Sequence, residues 1–320
     1  MRRIAIVGAG FAGMSAAWHL SASGKCAVTV FDSKGVGRGA SGIAAGLLHP
    51  YPGEQGRRSF MASEAMQAAK HLLQIAQAKS ALPLALENGI LRYILNTEMH
   101  FDDVEPQVDG SFLIRSGMTV FCKRYLHALW LAAQELGAQF VQRHIETVEE
   151  LSSFDHVILA AGAGIFPFPE ARGLRLERLK GQILTAKVPD GIIFPLQNLV
   201  GKGYIAHTEE QRIFHIGSTY ERGALDEGVD IEKAKEELLP KATLLHPGAP
   251  SFEIIDCKAA FRVMRIGHYY PCLARLRDTI WVCTALGSRG LLYHGLLGEL
   301  IKEAILKDAS VPKEFGIKLH

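Results

Sequence analysis

Gly8, Gly10 and Gly13 stand in the spacing G-x-G-x-x-G between an apolar run, Ile4 to Val7, and the Ala-rich stretch Met14 to Leu20. The pattern reads as strand, tight turn and helix. Glycine at these places permits the turn, lets a pyrophosphate approach the backbone and packs the helix on the strand. The helix start at Phe11 and Ala12 offers free N–H donors. Asp32 ends a second apolar run, Ala27 to Phe31, about twenty residues further on, with Ser33 beside it; a carboxylate there can accept ribose hydroxyls. Together these residues predict a dinucleotide site. An acid at this place disfavours a 2′-phosphate, so NADP is the least suited dinucleotide.

The elements that must carry this site follow along the chain. From Gly35 to Ser59 small residues and glycine are too frequent for a long helix or a central strand, which predicts a connecting segment close to a ligand. Helical spacing runs from Phe60 to Ala81, and strand-like pieces follow at Gly89 to Leu95 and Gly110 to Gly117. A helix ends at Leu136, with Gly137 as its cap. Phe154 to Gly164 reads as a buried strand running into small residues. Between Gly181 and Asp256 short strands surround one charged helix, Ile231 to Leu239, as in a mixed or antiparallel sheet. The chain then closes with strand, glycine turn and helix from Thr279 to Leu306.

Composition bounds the setting. At 320 residues the chain exceeds the usual size of one hydrophobic core, so two connected domains are expected. A hydrophobic content of 48% and a charged fraction of 21% describe a soluble globular protein, and a net charge of +2 supplies no broad field for nucleic acid. Local basic patches remain at Arg57-Arg58 and Arg172 to Lys180. The five cysteines show no C-x-x-C pair and no histidine at metal spacing, so no metal is expected and the thiols read as reduced and mostly buried. Met1-Arg2-Arg3 followed by apolar residues superficially suggests a signal peptide, but Gly8 and Gly10 interrupt the run. No later stretch is long and uncharged enough to span a bilayer, and a cytoplasmic location is expected.

Three returns to a nucleotide fold, interrupted by sheet-rich insertions, suit FAD better than a simple nicotinamide dehydrogenase. The fingerprint with Asp32, GASGIAAGLLHP at Gly39 to Pro50, VILAAGAG at Val157 to Gly164, GQILT at Gly181, IGSTYE at Ile216 and LGSRGL at Leu286 to Leu291 resemble the D-amino-acid-oxidase family of FAD-dependent oxidoreductases. The likeness is nearest to the oxidase domains of bifunctional tRNA wobble-uridine modification enzymes, with glycine oxidases as near relatives. It implies an α/β fold: a Rossmann-like FAD-binding domain from residues 1–60, 118–175 and 257–320, with an inserted mixed or antiparallel-sheet substrate domain from 61–117 and 176–256.

The resemblance also places residues. Ala40, Ser41, Gly42, Ala45, Gly46 and Leu47 would run beside the pyrophosphate and the flavin ring, where large side chains would collide. Ala161 and Gly162 would close over the cofactor. The turn Gly287-Ser288, leading through Arg289 and Gly290 to Leu291 at a helix start, would face the edge of the ring that gains negative charge on reduction. Arg289 either adds a full charge there or caps the surface.

On the substrate side, family members hold a carboxylate with an arginine; in AAFRVMRIGHYYPCLA the match is Arg262, with Arg265 as runner-up. The family's aspartate is replaced near His268 and Tyr269, and the spacing to Pro271 is one residue longer. Candidate pocket groups are His49, Tyr51, Tyr204 and Tyr269, while His215 and His294 read as structural rings. The chemistry implied is transfer of a hydride from a neutral amine to flavin N5, hydrolysis of the imine by water, and reoxidation by O₂ to H₂O₂. The substrate implied is a small amine bearing a carboxylate, or a tRNA carrying a carboxymethylaminomethyl group. The 320 residues hold no methyltransferase half, so a tRNA substrate would imply a separate methyltransferase partner. A flavin dehydrogenase with another acceptor and an idle FAD-binding module remain as alternatives.

Overall fold

A computed structural model describes residues 1–93 and 103–317. The amino-terminal apolar run forms the strand Arg2–Val7, central in a sheet that has six strands among the described residues. It pairs in parallel with Cys26–Asp32 on one side and His156–Leu159 on the other, so that Val7, Phe31 and Leu159 are level. Ile280–Thr284 extends the parallel set, Gln139–Gln142 closes one edge, and Cys272–Arg275 adds an antiparallel strand at the other. The strands are apolar on both faces because both are covered. Ile4, Ile6, Val30 and Ile158 pack under the helices Phe11–Ala22, Ala62–Gln77, Cys122–Glu135 and Gly290–Lys307. Ala5, Val7, Val157 and Leu159 pack against Ile145, Leu151, Phe168 and Leu174.

The second sheet has nine strands among the described residues. Its backbone is a long antiparallel ladder of Leu176–Lys187 with Glu253–Arg265. From Leu176–Lys187 the order continues through Ile213–Gly217, Tyr204–His207 and Asn198–Val200 to Ile90–Arg92, Phe112–Ile114 and Val104–Pro106. Side chains alternate across it with period two. Leu184, Ala186, Leu199, Ile205 and Ile216 point to a core covered by the helix Ile231–Thr243, whose first turn is capped by Asp230 accepting the Lys233 N–H at 3.1 Å. The opposite face floors the cavity described below.

Several boundaries differ from those expected. The limit at residue 257 falls inside the strand Glu253–Arg265, whose charged outer positions hide its strand character in the sequence. Helix Ala62–Gln77, assigned to the substrate region, buries Ala65, Ala69, Leu72 and Ala76 in the core of the first sheet's helical layer. The strand expected at 89–95 is Ile90–Arg92, and residues 94 and 95 lie outside those described, as does the rest of 94–102. The small-residue passage contains one helical turn, Ala40–Ile43, and a short strand, Leu47–Leu48.

Candidate functional site

A cavity of about 940 Å³ runs between the carboxyl ends of the parallel strands and the open face of the second sheet, where ligands of α/β sheets bind. At one end the turn after Arg2–Val7 is built for close approach. Gly8 has φ +111°, and a Cβ on Gly13 would stand 1.8 Å from the Gly8 carbonyl oxygen, so helix and strand meet there only without a side chain. The Phe11 N–H donates to Ser41 Oγ at 3.1 Å, tying the helix start to the small-residue turn. Asp32 accepts the N–H groups of Ala9 (2.9 Å), Lys34 (2.8 Å) and Gly35 (2.9 Å), which fixes its carboxylate at the cavity wall. Glu227, from the second sheet's side, accepts the Phe261 N–H at 2.9 Å and lies 3.8 Å from Lys34, joining the two regions at this end.

Of the residues expected near a cofactor, Gly10, Phe11, Ala12, Ser33, Ala40 and Ser41 line the cavity, as do Ala45, Gly46 and Leu47, Ala161 and Gly162, and Gly287 through Leu291. Gly13 and Gly42 do not. Both instead pack on backbone, Gly42 against the Gly37 carbonyl, where a Cβ would stand at 1.8 Å.

At the other end lies Arg262. Its side chain crosses Gly181, where a Cβ would stand 2.7 Å from Nη2, so the glycine of GQILT makes room for the guanidinium. Nη1 donates to Ser218 Oγ at 3.2 Å and Nη2 to the Thr219 carbonyl at 2.9 Å; Nε is buried without a partner among the described residues. The turn it grips is held from behind. Gln182 N–H donates to Thr219 Oγ1 (2.8 Å), whose hydroxyl donates to Glu221 (2.8 Å), which also pairs with Lys233 at 2.7 Å. Against the upward pull of burial, hydrogen bonds from Lys233, Thr219 and Gln182 bring Glu221 down to about 2.

Tyr204 lies beside this group. A Cβ on Gly217 would meet its hydroxyl at 2.3 Å, and burial pushes its phenol well up, opposed by the Arg262 charge and a hydrogen bond with Ser218. His49 is buried, and burial, then the Arg92 charge, brings it down to about 3, so it is neutral at neutral pH. Its Nδ1 accepts the Tyr51 N–H at 3.3 Å, which leaves the proton on Nε2. Tyr269 is 69% exposed at the rim, with the Arg289 guanidinium over its ring. Thr284 Oγ1, on the cavity wall, is buried without a partner among the described residues.

Other candidates are elsewhere. Tyr51 lines a smaller cavity, its hydroxyl donating to Asp103 at 2.6 Å. Arg265 donates to the Glu314 carbonyl at 3.2 Å, away from the cavity, and His268 is exposed. His294 is buried on the Tyr125 hydroxyl at 2.6 Å, and His215 beside Thr185 at 3.4 Å. Arg92 was not among the candidates, yet it lines the cavity and is 1% exposed. Its signal was a charge set inside the apolar run GILRYIL.

A family model described as DAO, FAD dependent oxidoreductase, matches residues 3–304. The tRNA 5-methylaminomethyl-2-thiouridine biosynthesis bifunctional protein MnmC of Polaromonas sp. is 24% identical over 362 residues, covering 92% of this chain and 55% of that protein. The chain thus spans about half the length of that relative. Glycine oxidase of Bacillus licheniformis is 24% identical over 344 residues, covering 94% of this chain and 92% of its own. The crystal structure of glycine oxidase from Geobacillus kaustophilus has the same fold, with a TM-score of 0.82 at 20% identity and 100% of both chains covered.

Proposed function

Because the chain belongs to the DAO family of FAD-dependent oxidoreductases, we propose that it oxidises the C–N bond of a glycine-like amine, whose nitrogen is one carbon away from a carboxylate. FAD is its cofactor. The residues fit that group: a glycine turn where a Cβ would strike backbone, a carboxylate fixed by three N–H groups, and an orphaned Thr284 hydroxyl all border one long cavity. In this reading Gly10, Phe11, Ala12 and Ser41 hold the pyrophosphate, Asp32 and Ser33 the ribose, and Ala40 to Leu47, Ala161, Gly162 and Gly287 to Leu291 enclose the flavin.

When bound, FAD supplies the two-electron acceptor that takes amine to imine, and O₂ reoxidises it to give H₂O₂. The chain's own groups orient and exclude. Arg262 presents a planar fork to the substrate carboxylate. Tyr204, held protonated, can donate to the same carboxylate. The buried walls disfavour an ammonium ion, so the amine binds neutral with its lone pair available. Water then hydrolyses the released imine. The five free, buried cysteines support a reducing, cytoplasmic setting, and no helix among the described residues is long and apolar enough to cross a membrane.

The observation that carries the reading is Arg262, a half-buried guanidinium on the cavity wall whose hydrogen bonds among the described residues go to a hydroxyl and a carbonyl and to no carboxylate. Anaerobic mixing with glycine, sarcosine, D-amino acids and the matching amines lacking the carboxylate tests it through flavin bleaching. Bleaching confined to the carboxylated amines is expected; bleaching by the acid-free amines at equal rate overturns the assignment. The Polaromonas relative favours a second reading, oxidation of the carboxymethylaminomethyl group on tRNA alongside a separate methyltransferase. Bleaching by that tRNA alone would select it.

A further inference from the structure

Arg92 is a second cation on the floor of the same chamber. Val200 is level with Arg92 in one strand pair and with Tyr204 in the next, and Tyr204 is level with Gly217. Level neighbours share a face, so Arg92 stands two strands beyond Tyr204, roughly 10 Å along the floor. Arg262 approaches from the opposite side, over Gly181 to Ser218 and Thr219. Tyr204 therefore lies between two guanidinium groups, that of the buried Arg92 and that of the half-buried Arg262.

Among the described residues neither has an acid. Arg92 Nη2 donates to the carbonyls of Gly53 and Glu54, the latter at 3.1 Å, and its Nε has no partner among the described residues. Burial lowers its pKa to about 10. Of the three acids among the described residues that line the cavity, two are committed elsewhere. Asp32 is taken by three N–H groups, Glu227 by Phe261 and Lys34, and Glu54 is exposed. A buried cation served only by carbonyls is costly unless an anion joins it.

We propose that Arg92 is a specificity-determining residue, paired with Arg262, and that the chamber selects amines bearing two carboxylates, one on either side of the nitrogen. The inference rests on the amine-oxidising reading above and leaves its bond changes unaltered. Arg262 takes the acid next to the carbon that is oxidised, and Arg92 takes the far one, because a planar guanidinium matches a planar carboxylate.

The test uses the FAD-loaded protein and two unreactive sulfur analogues, thiodiacetate with two carboxylates and (methylthio)acetate with one. Equilibrium perturbation of the flavin's visible absorption reports binding without turnover. Thiodiacetate is expected to bind about tenfold more tightly or better. R92Q should bring the ratio of the two affinities to about one, and R92K should restore part of it. Equal affinities in the unaltered protein overturn the proposal and leave a single-acid substrate, free or borne on tRNA. An R92Q protein that weakens both ligands in proportion also overturns it, since Arg92 would then only pin the Gly53–Glu54 loop. If neither ligand perturbs the flavin, the amine-with-carboxylate reading falls and this inference falls with it.

Discussion

The two ends of the cavity are made of different materials. The end at Gly8 and Asp32 is shaped by backbone: glycines that admit a close approach, N–H groups at a helix start, and a carboxylate fixed by three amides within a few residues of itself or of the turn. The end at Arg262 is shaped by side chains from distant strands, each placed by sheet register and by glycines that clear its path. A backbone site tolerates little change in shape but asks little of side-chain chemistry. A side-chain site can be retuned by single substitutions without disturbing the frame, which suits the proposed assignment of the first end to the cofactor and the second to the substrate.

The largest effect should come from the backbone end. Gly13→Ala puts a methyl 1.8 Å from the Gly8 carbonyl oxygen, and a clash with main chain cannot be relieved by a rotamer. A loss of about 3 kcal/mol in stability is expected, together with loss of bound flavin. Urea unfolding and flavin content measure both; retention of full flavin at unchanged stability would erase the contrast. At the side-chain end, Arg262→Ala should cost about 2 kcal/mol or more in kcat/KM for carboxylate-bearing substrates while flavin content stays normal. Equal loss for substrates without the acid would instead place Arg262 in the frame.

The smallest effect sharpens the comparison through pH. His49 has an ordinary value of 6.5 and is held at about 3 by burial and by Arg92. The unfolded chain therefore binds a proton below 6.5 that the folded protein refuses until about 3, so stability is full above that window and falls as pH drops through it. His49→Gln should flatten this fall by up to about 1.4 kcal/mol per pH unit. Urea midpoints for both proteins at about pH 7 and about pH 5 decide it; parallel losses would mean that His49 is solvated in the native state.

Legibility follows the same division. The Gly8 turn and Asp32 stand in a motif of fixed type and spacing, which places them together at the cavity wall, while the contact of Gly8 with Ala160 joins segments far apart in the chain. Gly13 and Gly42 belonged to the right motifs, but their spacing could not say that they face protein and not the cavity. Arg262 was found through resemblance, while its seat on Ser218 and Thr219, and the need for glycine at 181, depend on a pairing between segments about eighty residues apart in sequence, roughly 3.3 Å per residue of chain folded back on itself. In the sequence an arginine between Leu91 and Tyr93 reads as an interruption of a strand and not as part of a site. Only the row through Val200 and Tyr204 shows where it stands. Helix Ala62–Gln77 was assigned by its place in the chain, although its apolar stripe belongs to the first core.

The ladder between Leu176–Lys187 and Glu253–Arg265 acts as a ruler for Arg262. Because neighbours along a strand point to opposite sides, deleting one residue just before Arg262 would turn the guanidinium outward and present an apolar or charged stranger to the chamber. Apart from Gly181 and Arg262, residues along the ladder can be exchanged, but between Arg262 and the bulge that already sets Ile255 opposite the Thr185–Ala186 step, insertions that keep the chemistry should come in twos or fall in the loops beyond its ends.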